Sequence, residues 1–179
     1  MMRAMDHRDH VGLLRDGVPG PGRWLELGAG HGEFTLALAD LLGPGGSIVA
    51  QDRDQAALQR LGGRVRAAFP AVGLETIAAD FTQSLPDGPF DGVLAANSLH
   101  FIGDPAPVLE AVRHRLRPAG RLLLVEYDAD HGNQWVPFPI SFAAWSRLAP
   151  AVGLKVPRQI GRVPSRFLGA IYAAVTEVP

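Results

Sequence analysis

Leu25–Thr35 reads L-E-L-G-A-G-H-G-E-F-T, and the spacing of its three glycines decides both the fold and the class of ligand. An apolar run, Arg23–Leu27, ends at the glycines as a buried strand should. From Glu33 the period changes: Phe34, Leu38, Leu41 and Leu42 form one stripe of a helix. Strand, glycine turn and helix in that order place a ligand against bare backbone at a helix start. A dinucleotide fingerprint would need a third glycine where Glu33 stands, and a carboxylate there faces a pyrophosphate unfavourably. What the stretch does match is E-x-G-x-G-x-G, with Glu26 on the strand and Gly28, Gly30 and Gly32 in the turn. A strand carboxylate suits a ligand carrying an amino group and a sulfonium better than one carrying phosphates.

The same alternation continues along the chain. Gly43–Gly46 (G-P-G-G) stops the first helix. Ser47–Gln51 is a second strand, Asp54 to about Arg66 a second helix, and Leu74–Ala78 a third strand. Phe90–Ala96 is a fourth strand. Val108, Leu109, Val112 and Leu116 mark a further helix, which Arg117-Pro118-Ala119-Gly120 ends, and Arg121–Glu126 is a fifth strand. Ser141–Val152 reads as helical. Two strand-like runs follow, Lys155–Val163 and Ala170–Val178, with no helix between them, so they pair antiparallel. This is an α/β pattern: a mostly parallel sheet with helices on both faces, its ligands beyond the carboxyl ends of the strands. With 179 residues, and no linker or repeat, the expectation is one domain over residues 1–179.

Bulk properties narrow the function. Hydrophobic residues make up 47% and the formal net charge is -1, which suits a packed core and disfavours a broad grip on nucleic acid or anionic membrane. Cysteine is absent, which removes disulfides and thiolate chemistry. The charged start, M-M-R-A-M-D-H-R-D-H, does not read as a signal peptide, and no apolar run spans a bilayer. A cytoplasmic protein is expected. Lys155 is the only lysine in an arginine-, alanine- and glycine-rich chain, a composition that suggests a GC-rich bacterial genome.

Further acidic residues fall at strand ends. Asp52 closes the second strand, 24 residues after Gly28, where a carboxylate can accept from both ribose hydroxyls. It could also be a helix-start residue, although Asp54 suits that duty better. Asp80-Phe81 follows the third strand, an acceptor and an aromatic for an adenine, and Asn97 ends the fourth.

Together, L-E-L-G-A-G-H-G, Q-D-R-D, A-A-D-F, F-D-G-V-L-A-A-N and R-L-R-P-A-G-R-L-L-L-V resemble the five ordered motifs of the class I S-adenosylmethionine-dependent methyltransferases. The resemblance covers about Arg23–Glu126. It implies a Rossmann-like sheet of seven strands with the last reversed, S-adenosylmethionine as cofactor and S-adenosylhomocysteine as product. It also implies roles by position. Glu26, Gly28, Gly30 and Gly32 serve the methionine moiety, Asp52 the ribose, Asp80 and Phe81 the adenine, and Asn97 the methionine end, with Ala29 and Arg53 completing the cofactor-binding set.

The acceptor is less legible. Asn97-Ser98-Leu99-His100 lacks the proline and aromatic of enzymes that methylate amide or exocyclic nitrogens. A small-molecule acceptor, at oxygen, nitrogen or carbon, is therefore expected, with the protein a monomer or homodimer. His100 is the first choice for a general base, and Tyr127, Asp128 and His131 are others. No metal site is expected, His131 with Asp128 or Asp130 being too slight a set. His7, Asp9 and His10 read as a solvated helix start. Trp135, Phe138, Phe142 and Trp145 either cover the acceptor or pack the helix onto the sheet. Two other readings are an aminopropyltransferase and a non-catalytic S-adenosylmethionine-binding sensor or assembly subunit.

Overall fold

Alternating apolar residues on short strands require cover on both faces, and the computed structural model, which describes residues 5–179, supplies it. The first four residues of the charged amino-terminal run lie outside the described residues. The elements in chain order are α1 (His7–Leu14), β1 (Arg23–Leu27), α2 (Glu33–Leu42), β2 (Ser47–Asp52), α3 (Gln55–Ala68), β3 (Gly73–Ala78) and β4 (Phe90–Ala96). They continue with α4 (Ala106–Arg115), β5 (Leu116–Tyr127), α5 (Phe142–Ala151), β6 (Arg158–Pro164) and β7 (Ala170–Glu177). The strands form one sheet in the order β3-β2-β1-β4-β5-β7-β6. Strands β1 to β5 are parallel, and β7 runs antiparallel to both β5 and β6. The Rossmann-like sheet with a reversed last strand is thus as expected.

Period-two alternation divides the core. Trp24, Ile48, Leu94 and Leu123 face α1, α2 and α3, while Leu25, Val49, Val93 and Leu122 face α4 and α5. Glu26 lies on the Trp24 face and so points beneath α2. The strand order reverses between β1 and β4, which opens a crevice at their carboxyl ends.

Two boundaries differ from expectation, each for a local reason. Arg117–Gly120 is no loop: β5 begins at Leu116, paired with Phe90, and pairing resumes at Gly92–Arg121. Pro118 has no N–H to give and Ala119 sits at φ 58°, so the chain bulges out of the ladder instead of leaving it. Leu116 accordingly belongs to the strand and not to the helix stripe. As expected, Asp54 is the N-cap of α3, its Oδ1 accepting from Ala57 N at 2.9 Å, which frees Asp52 from that duty. Lys155 N donates to Glu177 O, yet the β6 ladder starts only at Arg158, past Pro157, which has no N–H. Among the described residues no helix is long and apolar enough to cross a membrane.

Candidate active site

The glycine turn after β1 is built by backbone geometry. Gly28 N and Ala29 N both donate to Gln51 O, at 2.8 and 3.1 Å, locking the turn against β2. Gly28 has φ +71°, and a Cβ there would fall 2.7 Å from Ser98 Cβ, so only glycine lets β1 and β4 loops approach this closely. Asp52 Oδ2 accepts from Gly30 N and Oδ1 from Asp54 N, both at 2.8 Å. The carboxylate is therefore oriented by its own neighbours, with each oxygen keeping acceptor capacity.

A cavity of about 630 Å³ opens over this turn. Of the residues singled out from the sequence, Gly28, Gly30, Asp52, Arg53, Asp80, Phe81 and Asn97 line it. Asp80 Oδ1 accepts from Thr82 N (2.8 Å) and Thr82 Oγ1 (2.7 Å). These bonds hold its carboxyl below the usual range, with the Arg53 guanidinium a smaller cause; that group stands 3.8 Å from Oδ2. Asn97 is held at φ 51° with its N–H on Val125 O.

Other singled-out residues lie behind the wall. Ala29 is buried, and Gly32, at φ 89°, is the N-cap of α2. Glu26 is 2% exposed. Burial pushes its carboxyl up to about 8; the nearby Thr35 hydroxyl opposes the shift and the charge of Asp52 adds to it. Its Oε2 is buried without a hydrogen-bond partner, and so are Asn97 Oδ1 and Ser98 Oγ. Of these three residues, Asn97 and Ser98 line the cavity, and Glu26 lies behind it.

His100 does not reach the cavity wall. It is 3% exposed, with Nδ1 2.8 Å from Glu126 Oε2, while Glu126 Oε1 accepts from Leu99 N and His100 N. A 3-10 turn over Leu99–Phe101 swings His100 inward and Phe101 outward, so Phe101 lines the cavity, with Ser98, Ile102 and Gly103. Phe101, Ile102 and Gly103 went unnoticed in the sequence. Only their position after β4 signalled them, and turn type is not readable from N-S-L-H-F.

The expected aromatic cover divides. Trp145 is fully buried and Phe142 packs edge-on to Tyr172, whereas Trp135 and Phe138 are 64% and 50% exposed. Phe138 helps line a second cavity, about 410 Å³, which shares Ile102 and Gly103 with the first. Asp128 Oδ1 accepts from Phe142 N and Asp130 Oδ1 from Ser141 Oγ, so both acids hold α5 in place. No group of three or more potential metal ligands occurs among the described residues. At the amino-terminal end the reading needs correction: His10 is not solvated. It is 9% exposed, packed edge-on to Phe34, and it lines a third cavity of about 230 Å³.

Comparison with known proteins agrees with this geometry. The family described as "Methyltransferase domain" matches residues 25–122, more than half the chain. The ubiquinone/menaquinone biosynthesis C-methyltransferase UbiE of Pasteurella multocida is 30% identical over 106 residues, which are 58% of this chain and 39% of that protein. An uncharacterized 37.1 kDa protein in transposon TN4556 of Streptomyces fradiae is 34% identical over 106 residues, 59% of this chain and 30% of its own. The chain thus matches less than half the length of these curated relatives. Among solved structures, the YcgJ protein from Bacillus subtilis superposes with a TM-score of 0.74 over 96% of this chain and 99% of that one, at 15% identity. By its matched family, its sheet order and the glycine turn that both rest on, the chain belongs to the methyltransferase-domain family, of the class I S-adenosylmethionine-dependent kind.

Proposed function

We propose that the chain binds S-adenosylmethionine in the 630 Å³ cavity and transfers its methyl group to a small-molecule acceptor. The observation that carries this reading is the lining of that cavity, where the glycine turn meets Asp52, Asp80, Phe81 and Asn97 from the ends of β2, β3 and β4. A methionine moiety suits the Asn97 end chemically. Its ammonium brings positive charge there, which stabilises the carboxylate form of Glu26 that burial disfavours. At the other end Asp52 keeps free acceptor sites for the two ribose hydroxyls. Asp80, fixed by Thr82, keeps Oδ2 for an adenine amino group, with Phe81 as the flat wall. Arg53, exposed beside Asp80, edges the ribose and adenine region. Gly28, Ala29, Gly30 and Gly32 let the ligand lie on backbone.

The bound sulfonium supplies an already activated methyl group. The protein's task is approach geometry and a dry, shaped site. A near-neutral charge balance and the modest volumes of the adjoining cavities support a small acceptor over a nucleic acid. The same reading has the protein working in a bacterial cytoplasm as a monomer or homodimer.

Calorimetric titration with S-adenosylhomocysteine, S-adenosylmethionine and NADH tests the reading. Binding of both sulfur nucleosides and not of NADH is expected, with Asp52→Ala weakening binding by about 1–3 kcal/mol, as for lost hydrogen bonds to a charged group. NADH binding without nucleoside binding would sink it. Nucleoside binding with no transfer to any acceptor would instead leave a non-catalytic binder.

A further inference from the structure

The third cavity touches the cofactor cavity at one residue, Asn97. It draws on four parts of the chain: His10 from α1, Glu33 from α2, Tyr127 from the end of β5, and Arg166 with Phe167 from the β6–β7 connection. Each contributes something different. His10 Nδ1 lies 2.6 Å from Asp6 O. A carbonyl only accepts, so Nδ1 carries the proton and the neutral ring keeps its lone pair on Nε2. That nitrogen has no partner among the described residues and is not one of the sealed polar atoms, and His10 lines the cavity. Tyr127 has no hydrogen bond to its hydroxyl among the described residues. Burial first, and then the charge of Glu126, raises its ionisation above the ordinary phenol range, so it remains a donor.

Charge gives the cavity its sign. Glu33 is held by Arg64 through two bonds of 3.1 Å, and its charge is thereby met. Arg166 makes no ion pair among the described residues; its guanidinium lies 4.8 Å from the Phe167 ring centroid. Phe167, Pro164, Ile171 and Met5 supply apolar walls. A neutral base, a phenolic donor and an unpaired cation around apolar walls suit a small planar acceptor with an ionisable hydroxyl, whose anion is the nucleophile.

Building on the methyltransferase reading, we propose that this third cavity is the acceptor site, taking a small phenol or enol, with His10 Nε2 as its general base. The acceptor O–H bond breaks and its proton goes to Nε2, leaving the pair on oxygen. Tyr127 and Arg166 stabilise that oxyanion. The oxygen then bonds to the methyl carbon as the carbon–sulfur bond breaks, its pair returning to sulfur as a neutral thioether. His10 later releases the proton to water.

The test uses 4-nitrophenol, whose anion absorbs visible light, titrated against pH with protein saturated in S-adenosylhomocysteine. The bound phenol is expected to ionise at lower pH than the free phenol. His10→Gln and Arg166→Gln should each weaken nitrophenolate binding about tenfold, the loss of one charge-assisted contact. S-adenosylhomocysteine affinity, measured on the same samples, should be unchanged. Besides His10 and Arg166, the ionisable groups facing the cavity are Glu33, paired with Arg64, and Tyr127, backed by Glu126. Because Arg166 sits on a connection between strands, its variant keeps the test sound should His10→Gln disturb α1. If the nucleoside binds but nitrophenol does not, or ionises equally with both variants, the acceptor site is wrong and the cofactor reading stands. If the nucleoside itself fails to bind, the cofactor reading falls and this one with it.

Discussion

Glu26 shows how far one side chain's setting can depart from its type. A glutamate on a strand reads as a polar anchor, yet here it is sealed under α2 with one oxygen unmet. Its folded value of about 8 lies above the ordinary 4.5. The folded state therefore holds the proton more tightly than the unfolded chain, and stability contributed by this group is lost as pH rises from about 4.5 through about 8. Glu26→Gln keeps the neutral shape and removes that loss. Without ligand, denaturant midpoints at pH 5 and pH 8 should move closer together in the variant than in the parent. Equal differences in the two proteins would mean that Glu26 is ionised when folded. His10 and His100 carry the same lesson in opposite directions. The first was expected in solvent and is buried, lining a cavity; the second was expected at the acceptor and is paired to buried Glu126. Neither was visible from neighbouring residues, because each partner is contributed by geometry: a helix-start carbonyl for one, a distant strand for the other.

At the scale of elements, α2 and α3 meet through Gly32. Its φ of +89° already disfavours a side chain, and a Cβ there would collide with Leu61 Cδ1. Gly45 has nearly the same φ, +87°, but open space around its Cβ position. The pair separates strain from crowding. Gly45→Ala should cost about 1–2 kcal/mol from the left-handed backbone alone. Gly32→Ala should cost about 1–3 kcal/mol more, because Leu61 must move within a packed face. Urea unfolding of both variants checks this, and equal losses would show that α3 yields easily. Strands and helices were legible here wherever periodicity was strong. The misread segment, Arg117–Gly120, contains residue types that serve a loop and a bulge equally; only the pairing of Leu116 with Phe90 chose the bulge.

For the whole molecule, one sheet divides the core into two apolar faces, and each face holds a buried tryptophan, Trp24 on one and Trp145 on the other. Both faces are anchored to the same strands, so the described residues, 5–179, are expected to unfold as one unit. With exposed Trp135 replaced by Phe, variants retaining only Trp24 or only Trp145 should each show fluorescence transitions coincident with the loss of helix by circular dichroism. A fluorescence transition that precedes the circular dichroism change in one variant would mean that the two faces come apart separately.

The sequence by itself determined the α/β alternation, the reversed final strand and the glycine turn after β1. Each depends on local rules: the period of apolar residues, the freedom of glycine at positive φ, and an acidic residue at a strand end. It also carried Asp52, Asp80, Phe81 and Asn97 to one cavity, because strand ends in such a sheet lie side by side. What only the tertiary structure decided is which side chains beyond the strands turn inward. The 3-10 turn after β4 set His100 against Glu126 and Phe101 toward the cavity. The docking of α1 against α2 and β6 brought His10 to Tyr127 and Arg166, residues 117 and more positions away in the chain. Such encounters depend on packing between distant segments, and no short-range pattern encodes them.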